Sequence, residues 1–361
     1  MKNILLLYPD MLFYKIAIFN KLSAFLEHEG YKLIIWYRHI NDPNKECNFS
    51  YIYNTSMTLK NYRRVIEENK IEAIIDILFK SDPGYYFYFA SVLKAKVLRI
   101  PIIFYGHGID KQKDQWLMNF LYNLTYFLFD GIILYTPSEK SKLWKCFHYK
   151  ITCANNTLDI DELNIQENKE QIKTRYKINP HRVILTTGRL HARKKIEILS
   201  EIFIQNYKDS PDVAWVLVGP DLSDEVNHAI KGINNIYYLG PIYDKMKMAE
   251  IFSISDFYCV PGALGLGIVE ALYWGLPVLT MEVNHGPEAY YLKNNFNSLI
   301  AKDKQELKRM INDILFDDEK RLILSNNARK VFHEEATLDK MFEGFRLQLN
   351  RLNNETTNSE F

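Results

Sequence analysis

The sequence predicts an α/β protein built of two similar halves, and three observations predict it. Short apolar runs alternate with longer stretches of helical length, the pattern of parallel sheets covered by helices. That alternation runs through the chain twice, with a polar and charged stretch between the two series. The length of 361 residues also exceeds what one core usually serves, so two domains are expected.

In the first half the strands expected are Ile4–Tyr8, Leu33–Tyr37, Ala73–Ile77, Ile102–Tyr105 and Gly131–Tyr135. Ile16–Glu29 and Asp114–Phe129 have helical length between them. The second series has strands at Val183–Thr187, Ala214–Val218, Ile236–Leu239, Phe257–Val260 and Pro277–Thr280. An interdomain linker is placed near residues 160–175, just before the break at Ile178 to His181. Leu338–Leu349 reads as an amphipathic helix with Met341, Phe342, Phe345 and Leu349 on one face. The domains expected are 1–165 and 166–335, then a helix over 336–352 and a disordered polar tail over 353–361. Two such α/β halves suggest Rossmann-like domains facing a cleft, with ligands beyond the carboxyl ends of the strands.

Composition narrows the function classes. Hydrophobic content of 47% and charged content of 25% are those of an ordinary globular protein. Cys47, Cys146, Cys153 and Cys259 are scattered without a C-x-x-C pair, against both a disulfide framework and a zinc site. No apolar run approaches the ~20 residues that span a bilayer, and the first residues read as a buried strand rather than a signal peptide. A cytoplasmic protein is expected. Charge is uneven: residues 1–150 carry 20 Lys and Arg against 14 Asp and Glu, the remainder 25 against 30. A basic first half suits an anionic membrane surface or a diphosphate-linked partner, and ordinary surface variation fits equally. Nothing in the motifs points to nucleic acid.

The segment from Pro261 to Val278 is the most informative. Gly262, Gly265 and Gly267 follow a strand and open a helix, so backbone N–H groups approach a ligand closely and a helix N-terminus offers positive charge to phosphate. Glu270 sits in the first turn, where a carboxylate can accept two ribose hydroxyls. A tight packing turn would look the same, so the segment needs support. Thr187 to Lys195 supplies it: after a strand, Gly188 is followed by Arg189, Arg193, Lys194 and Lys195. Cations there can neutralise a departing diphosphate, whose charge grows in the transition state.

Together these segments resemble the donor-binding halves of the GT-B family-4 retaining glycosyltransferases, the glycosyl transferases group 1. Gly188, Arg189, Leu190 and Lys194 match G-R-L-x-x-x-K. Gly265, Leu266, Glu270, Ala271, Gly275, Pro277 and Val278 match the later glycine-glutamate pattern. Val218 to Pro220, Tyr238 to Gly240, Ser255-Asp256 and His285 to Glu288 are further echoes, and the likeness covers roughly residues 180–335. It implies a GT-B fold, with the last helix crossing back to the first domain. It also implies that Arg189 and Lys194 bind the donor diphosphate, Glu270 holds the ribose, and Tyr243 lies near the base. Gly188, Gly262, Leu264, Gly265, Leu266 and Val269 are implied as further donor contacts, the stretch from Gly265 to Val269 through its backbone, and Glu288 fits either a donor contact or a helix start. Gly262 departs from the pattern: it stands where the family usually has the first of two glutamates. A variant branch with P-G-x-x-G-L is suggested, and the donor sugar stays open.

In the first domain, His107 stands between Gly106 and Gly108 after a strand and resembles the family's active-site histidine. A structural role for a lone histidine is the competing reading. The family's glycine-rich first loop is replaced by Pro9 to Lys15, which would shape the acceptor site. The run Asp114–Phe129 is apolar and aromatic, fit either for the core or for a lipid interface. The resemblance implies transfer from a nucleotide-sugar, with retention and without a cofactor or obligatory metal. The acceptor expected is a hydroxyl of an oligosaccharide or lipid-linked glycan in bacterial surface polysaccharide assembly, such as O-antigen or capsule. A silent nucleotide-sugar-binding subunit and a sugar-nucleotide epimerase are the alternatives.

Overall fold

The computed structural model describes residues 1–40, 46–53, 55–77, 85–109, 116–160 and 165–358. The chain divides into two compact units, Met1–Asp159 with Thr337–Phe361, and Ile160–Ala336.

The first unit carries β1 (Lys2–Leu7), β2 (Asp10–Met11), β3 (Tyr31–Trp36), β4 (His39–Ile40), β5 (Ser50–Ile52), β6 (Ile71–Asp76), β7 (Ile102–Gly106), β8 (Gly131–Leu134) and β9 (Ile151–Cys153). Seven of these form one sheet in the order β5-β3-β1-β6-β7-β8-β9, every pair parallel. Such strands are covered on both faces, which is why they read as continuous apolar runs rather than alternating ones. Ile4 to Leu7 are all at most 1% exposed. β2 and β4 make a separate two-stranded ladder.

The second unit repeats the plan. Its strands are β10 (Arg182–Thr187), β11 (Val213–Val218), β12 (Ile236–Tyr238), β13 (Phe257–Cys259), β14 (Val278–Met281) and β15 (Ser298–Ala301), in the order β12-β11-β10-β13-β14-β15, all parallel. In each unit the winding reverses beside the first strand, between β1 and β6 and between β10 and β13. The loops leaving these strands diverge there and open a crevice at their carboxyl ends.

The last helix, Leu338–Asn358, is part of the first unit. Met341, Phe342, Phe345 and Leu349 are all buried, as the stripe predicts. Phe345 meets Tyr105 edge-on at 4.9 Å, and Phe342 meets Phe25 at 5.5 Å. The helix continues through residues 353–358, which the sequence places in a disordered tail. Leu352 extends the buried stripe by a further turn, and residues 359–361 lie outside the described residues.

Two other expectations change. The linker near 160–175 is partly a helix, Lys169–Tyr176. Asn168 and Gln171 close a capping box at its start, and Ile172 packs into the core of the second unit, so a polar stretch with one apolar anchor is held in place. The apolar run after Asp114 is divided between core and surface, with Tyr126 and Phe129 buried. In helix Trp116–Thr125 and the turn after it, Trp116, Leu117, Phe120, Leu121, Leu124 and Phe127 are exposed. Asp114 itself lies outside the described residues. Among the described residues no helix is long and apolar enough to cross a membrane.

Candidate functional site

The crevice beside β10 is built by four loops pinned to one another. The first leaves β10 at Gly188, whose φ of +101° places it in the left-handed region open chiefly to glycine. Behind it lies Gly219, after β11, with φ +144°. A side chain at 219 would overlap the Gly188 carbonyl, so the two turns touch backbone to backbone. The Gly188 N–H donates to Val218 O at 3.0 Å, and Gly219 N–H to Gly240 O at 2.8 Å. The sequence shows these glycines, but only the close approach of two loops explains the second.

After Gly188 the chain makes a short turn, Ala192–Lys194, and Lys195 takes a left-handed conformation to start helix Ile196–Asn206. This geometry folds the Lys194 side chain inward. It is 8% exposed, and a Cβ on Gly188 would lie 3.6 Å from its Nζ. Among the described residues Lys194 forms no ion pair, and burial pushes its ammonium down to about 8. Arg189 and Arg193 lie on the same loop with exposed side chains.

The third loop, after β13, is fastened to this one. The Gly262 N–H donates to Lys194 O and the Ala263 N–H to Arg193 O, both at 2.8 Å. A Cβ at 262 would overlap the carbonyl of Arg193, so no glutamate, and no other side chain, fits at this position as the loops stand. The Gly262 N–H, expected among the donor contacts, is committed to this fastening. Leu264 is similarly committed. Its N–H points to His285 Nδ1 at 3.4 Å, its carbonyl accepts from Gly286 N–H, and its side chain is buried in the core. Val269 is also a core residue with its N–H donated to Leu266 O, so both side chains pack into the core.

What remains open is narrower and better defined. Gly265, Leu266 and Gly267 come next, and their three successive N–H groups make no hydrogen bond among the described residues. Helix Gly267–Tyr273 starts there, with Glu270 in its first turn. The Glu270 carboxylate accepts no hydrogen bond among the described residues. Burial raises it to about 7, against the opposing pull of Lys245. Tyr258, beneath this helix, donates from its hydroxyl to Thr187 O at 3.1 Å, and a Cβ on Gly267 would lie 2.9 Å from that hydroxyl.

The fourth loop carries His285 and Glu288, after β14. His285 Nε2 donates to Met281 O at 2.9 Å, which leaves Nδ1 to accept from Leu264. Burial first, and then the Lys194 charge, lowers the imidazole below its ordinary value, so the ring is neutral. Glu288 is buried in the turn Pro287–Tyr291, where a Cβ on Gly286 would lie 2.8 Å from its Oε2. Tyr243 stands before helix Lys245–Ile254 and is 70% exposed. Sequence reading passed over Thr187, Tyr258 and the anchoring by His285, because only the fold brings them to the crevice.

In the first unit, His107 follows β7 and is exposed, with its ring 4.6 Å from that of Tyr135. Gly108 behind it has φ +71° and packs against Leu143 and Leu134. Among the described residues no three His, Cys, Asp or Glu side chains cluster as a metal-binding set.

Comparison with known proteins bears on these features. Residues 168–331 match the model of the glycosyl transferases group 1 family. A search of curated proteins finds no match. Among solved structures the chain is similar to a glycosyltransferase from Rickettsia africae, with 16% identity and a TM-score of 0.76 over 98% of this chain and 99% of that one. It is also similar to HepE of Anabaena in complex with UDP, with 16% identity and a TM-score of 0.73 over 97% and 100%. A third is sucrose-phosphate synthase of Thermosynechococcus elongatus, with 16% identity and a TM-score of 0.69 over 99% and 100%. At such identities the likeness shows the fold, that of the GT-B glycosyltransferases. With the group 1 domain spanning the crevice beside β10, the chain is a glycosyltransferase.

Proposed function

We propose that this glycosyltransferase takes a nucleoside-diphosphate sugar into the crevice of the second unit and passes the sugar to a hydroxyl of an oligosaccharide. The observation that carries the reading is Lys194, a buried ammonium without an ion-pair partner among the described residues, beside a left-handed glycine turn at the point where the sheet reverses. A lone buried charge is costly, and a diphosphate is the partner that relieves the cost. Arg189 joins Lys194 on the phosphates, and the N–H groups of Gly265, Leu266 and Gly267 complete the cradle. Glu270 accepts the ribose hydroxyls, and Tyr243 borders the base. Gly188 lets the phosphates approach the backbone, and Glu288 lies toward the sugar. HepE has been solved with UDP and with UDP-glucose, which supports a uridine donor here.

In the transfer, the bond from the anomeric carbon to the phosphate oxygen breaks and one to the acceptor oxygen forms. The acceptor proton leaves with the nucleoside diphosphate. Arg189 and Lys194 stabilise the charge that collects on that leaving group, with no obligatory metal. His107 hydrogen-bonds a sugar hydroxyl. Retention of configuration and a place in bacterial surface polysaccharide assembly complete the reading. A lipid-linked acceptor is supported by the exposed apolar face from Trp116 to Phe127, with Lys145 beside Trp144 at its margin, which fits an anionic membrane surface.

A panel of UDP-, GDP-, dTDP- and CMP-sugars tests the donor. One of them is expected to raise Tm in the wild type and not in Lys194→Ala, and the absence of any shift defeats the reading. Activity is expected to survive chelation by EDTA. Flotation with anionic vesicles checks the membrane contact: the wild type should float at low salt and Phe120→Ser/Phe127→Ser should not.

A further inference from the structure

The amino end of the second unit's sheet, opposite the donor crevice, carries a pocket that the transfer reaction does not use. Its volume is about 470 Å³, within the range of pockets that hold small organic molecules. Asp256, just before β13, and Leu276, just before β14, line it. The neighbouring β10 is six residues long, so about 20 Å of strand lies between this pocket and the crevice. On helix Asp318–Glu335, Arg321, Ser325 and Arg329 recur every fourth residue and therefore share the face that lines the pocket. Lys169 reaches it from the first position of helix Lys169–Tyr176. Trp274, at the end of helix Gly267–Tyr273, and Leu322 add apolar surface.

The charges around the pocket do not cancel. Asp318 accepts from Arg182 at 2.6 Å and also from Arg321. Asp256 accepts the Val183 N–H at 2.8 Å, and its other oxygen lies 3.7 Å from Arg182 and 3.8 Å from Arg321. Two arginines thus match two carboxylates, and Lys169 and Arg329 are left over. Among the described residues neither forms an ion pair. Arg329 donates only to neutral oxygens, Trp274 O and Ser325 Oγ, both at 3.1 Å, which leaves further N–H groups of its fork for a ligand. It is also held in place, since a Cβ on Gly275 would lie 2.5 Å from its Cζ. Lys169 is exposed as a residue, yet enough protein surrounds its ammonium to lower it below its ordinary value. Burial is the main cause, Asp256 opposes it, and the charges of Lys173, Arg321 and Arg329 add to it.

We propose that this pocket is a second anion site, which binds a phosphate monoester with its phosphate between Lys169 and Arg329 and its organic group against Trp274 and Leu322. Two cations brought to one cavity from separate helices repel each other, and a dianion turns that repulsion into attraction. Arginine and lysine together suit phosphate, the first as a planar fork and the second as a point charge. A bare phosphate would leave much of the space to water, at about 30 Å³ a molecule. Leu322 is 60% exposed and Trp274 half-buried, so a carbon body gains by covering them. The site shares no residue with the donor crevice, and neither reading depends on the other.

Isothermal titration calorimetry on the full chain tests the site, with phenyl phosphate, inorganic phosphate and phenol as probes. Phenyl phosphate should bind most tightly, inorganic phosphate more weakly, and phenol not measurably. Phosphate can also enter the donor crevice, so the titrations are repeated on Lys194→Met, which should retain the phenyl phosphate binding. Lys169→Met and Arg329→Gln should each weaken it about tenfold, the loss of one charge-assisted contact. Lys169 has no hydrogen bond among the described residues, so Lys169→Met should melt no lower than the wild type. That variant keeps the test decisive if Arg329→Gln, which gives up Trp274 O, proves unstable. No binding to the wild type, binding lost in Lys194→Met, binding undiminished in Lys169→Met, or phenol binding as well as its phosphate overturns the site.

Discussion

The two units share a strand order, yet the first strand of each ends in a different way. β10 runs into Gly188 and a loop of cations, whereas β1 runs into Tyr8 and Pro9. In the second unit the turns are small enough that Gly188 and Gly219 touch, and the space gained is given to N–H groups and an ammonium. In the first, the same register positions are filled with rings. The comparison teaches that topology sets where a ligand sits, while loop chemistry sets its class. A glycine turn with inward charge leaves room for an anion, whereas the rings of Tyr8, Tyr37 and Tyr105 close the core of the first unit.

The sharpest way to break this contrast is to remove the charge. Lys194→Met is expected to lower kcat/KM by at least about a hundredfold, the scale on which leaving-group stabilisation acts. It should also raise the melting temperature of the ligand-free protein at pH 7. The sign follows from the ammonium. Burial lowers it to about 8 from 10.5, so the native state binds that proton less tightly than the unfolded chain, and the cost, full below pH 8, fades as pH rises from about 8 toward 10.5. A variant that loses activity and also melts lower would place Lys194 in the structure rather than in the site.

A smaller effect is expected from the loop fastening. Gly262→Ala should cost about 1–3 kcal/mol, since its methyl would overlap the Arg193 carbonyl, and should reduce kcat/KM about tenfold by displacing the loop. Gly265→Ala is the control. Nothing lies within 4 Å of a Cβ there, so urea melts should show stability little changed. Equal destabilisation by both would show that the two glycines serve the same purpose.

The smallest expected effect is in the pH profile. With Glu270 raised to about 7 and Lys194 lowered to about 8, kcat/KM for the donor should pass through a narrow maximum between them. Below 7 the protonated carboxyl cannot accept both ribose hydroxyls, and above 8 the diphosphate loses its ammonium. Glu270→Gln should flatten the acid limb and Lys194→Arg the alkaline one. A profile flat from pH 6 to 9 would separate both groups from the donor.

Much of this was legible in the sequence, for reasons particular residues make plain. Apolar runs buried on both faces marked β1, β3, β6, β7, β8, β10 and β11, and the Met341 to Leu349 stripe marked the last helix. Short strands such as β5 and β9 carry too few residues for a periodic signal. The site was legible where chemistry follows a strand directly, at Gly188 and Lys194. It was not legible where a residue acts through a distant loop. The backbone of Arg193 beside Gly262, and the packing of the Leu264 and Val269 side chains into the core, appear only once the loops are folded. The apolar run from Trp116 could not be assigned from hydropathy alone, since a core helix and a surface face have the same composition. Exposure divides it, with Tyr126 and Phe129 inside and Trp116 and Phe120 outside.

The fastening of the β13 loop has one more consequence. Two of its amides, at Gly262 and Ala263, are tied to the neighbouring loop, while the next three after Leu264 have no acceptor among the described residues. Five positions apart in sequence at most, these protons should therefore exchange with heavy water on different clocks. The first pair ticks slowly whether or not a donor is bound, and the second group slows only when phosphate oxygens arrive. The ratio of the two is an internal gauge of site occupancy that needs no knowledge of the sugar.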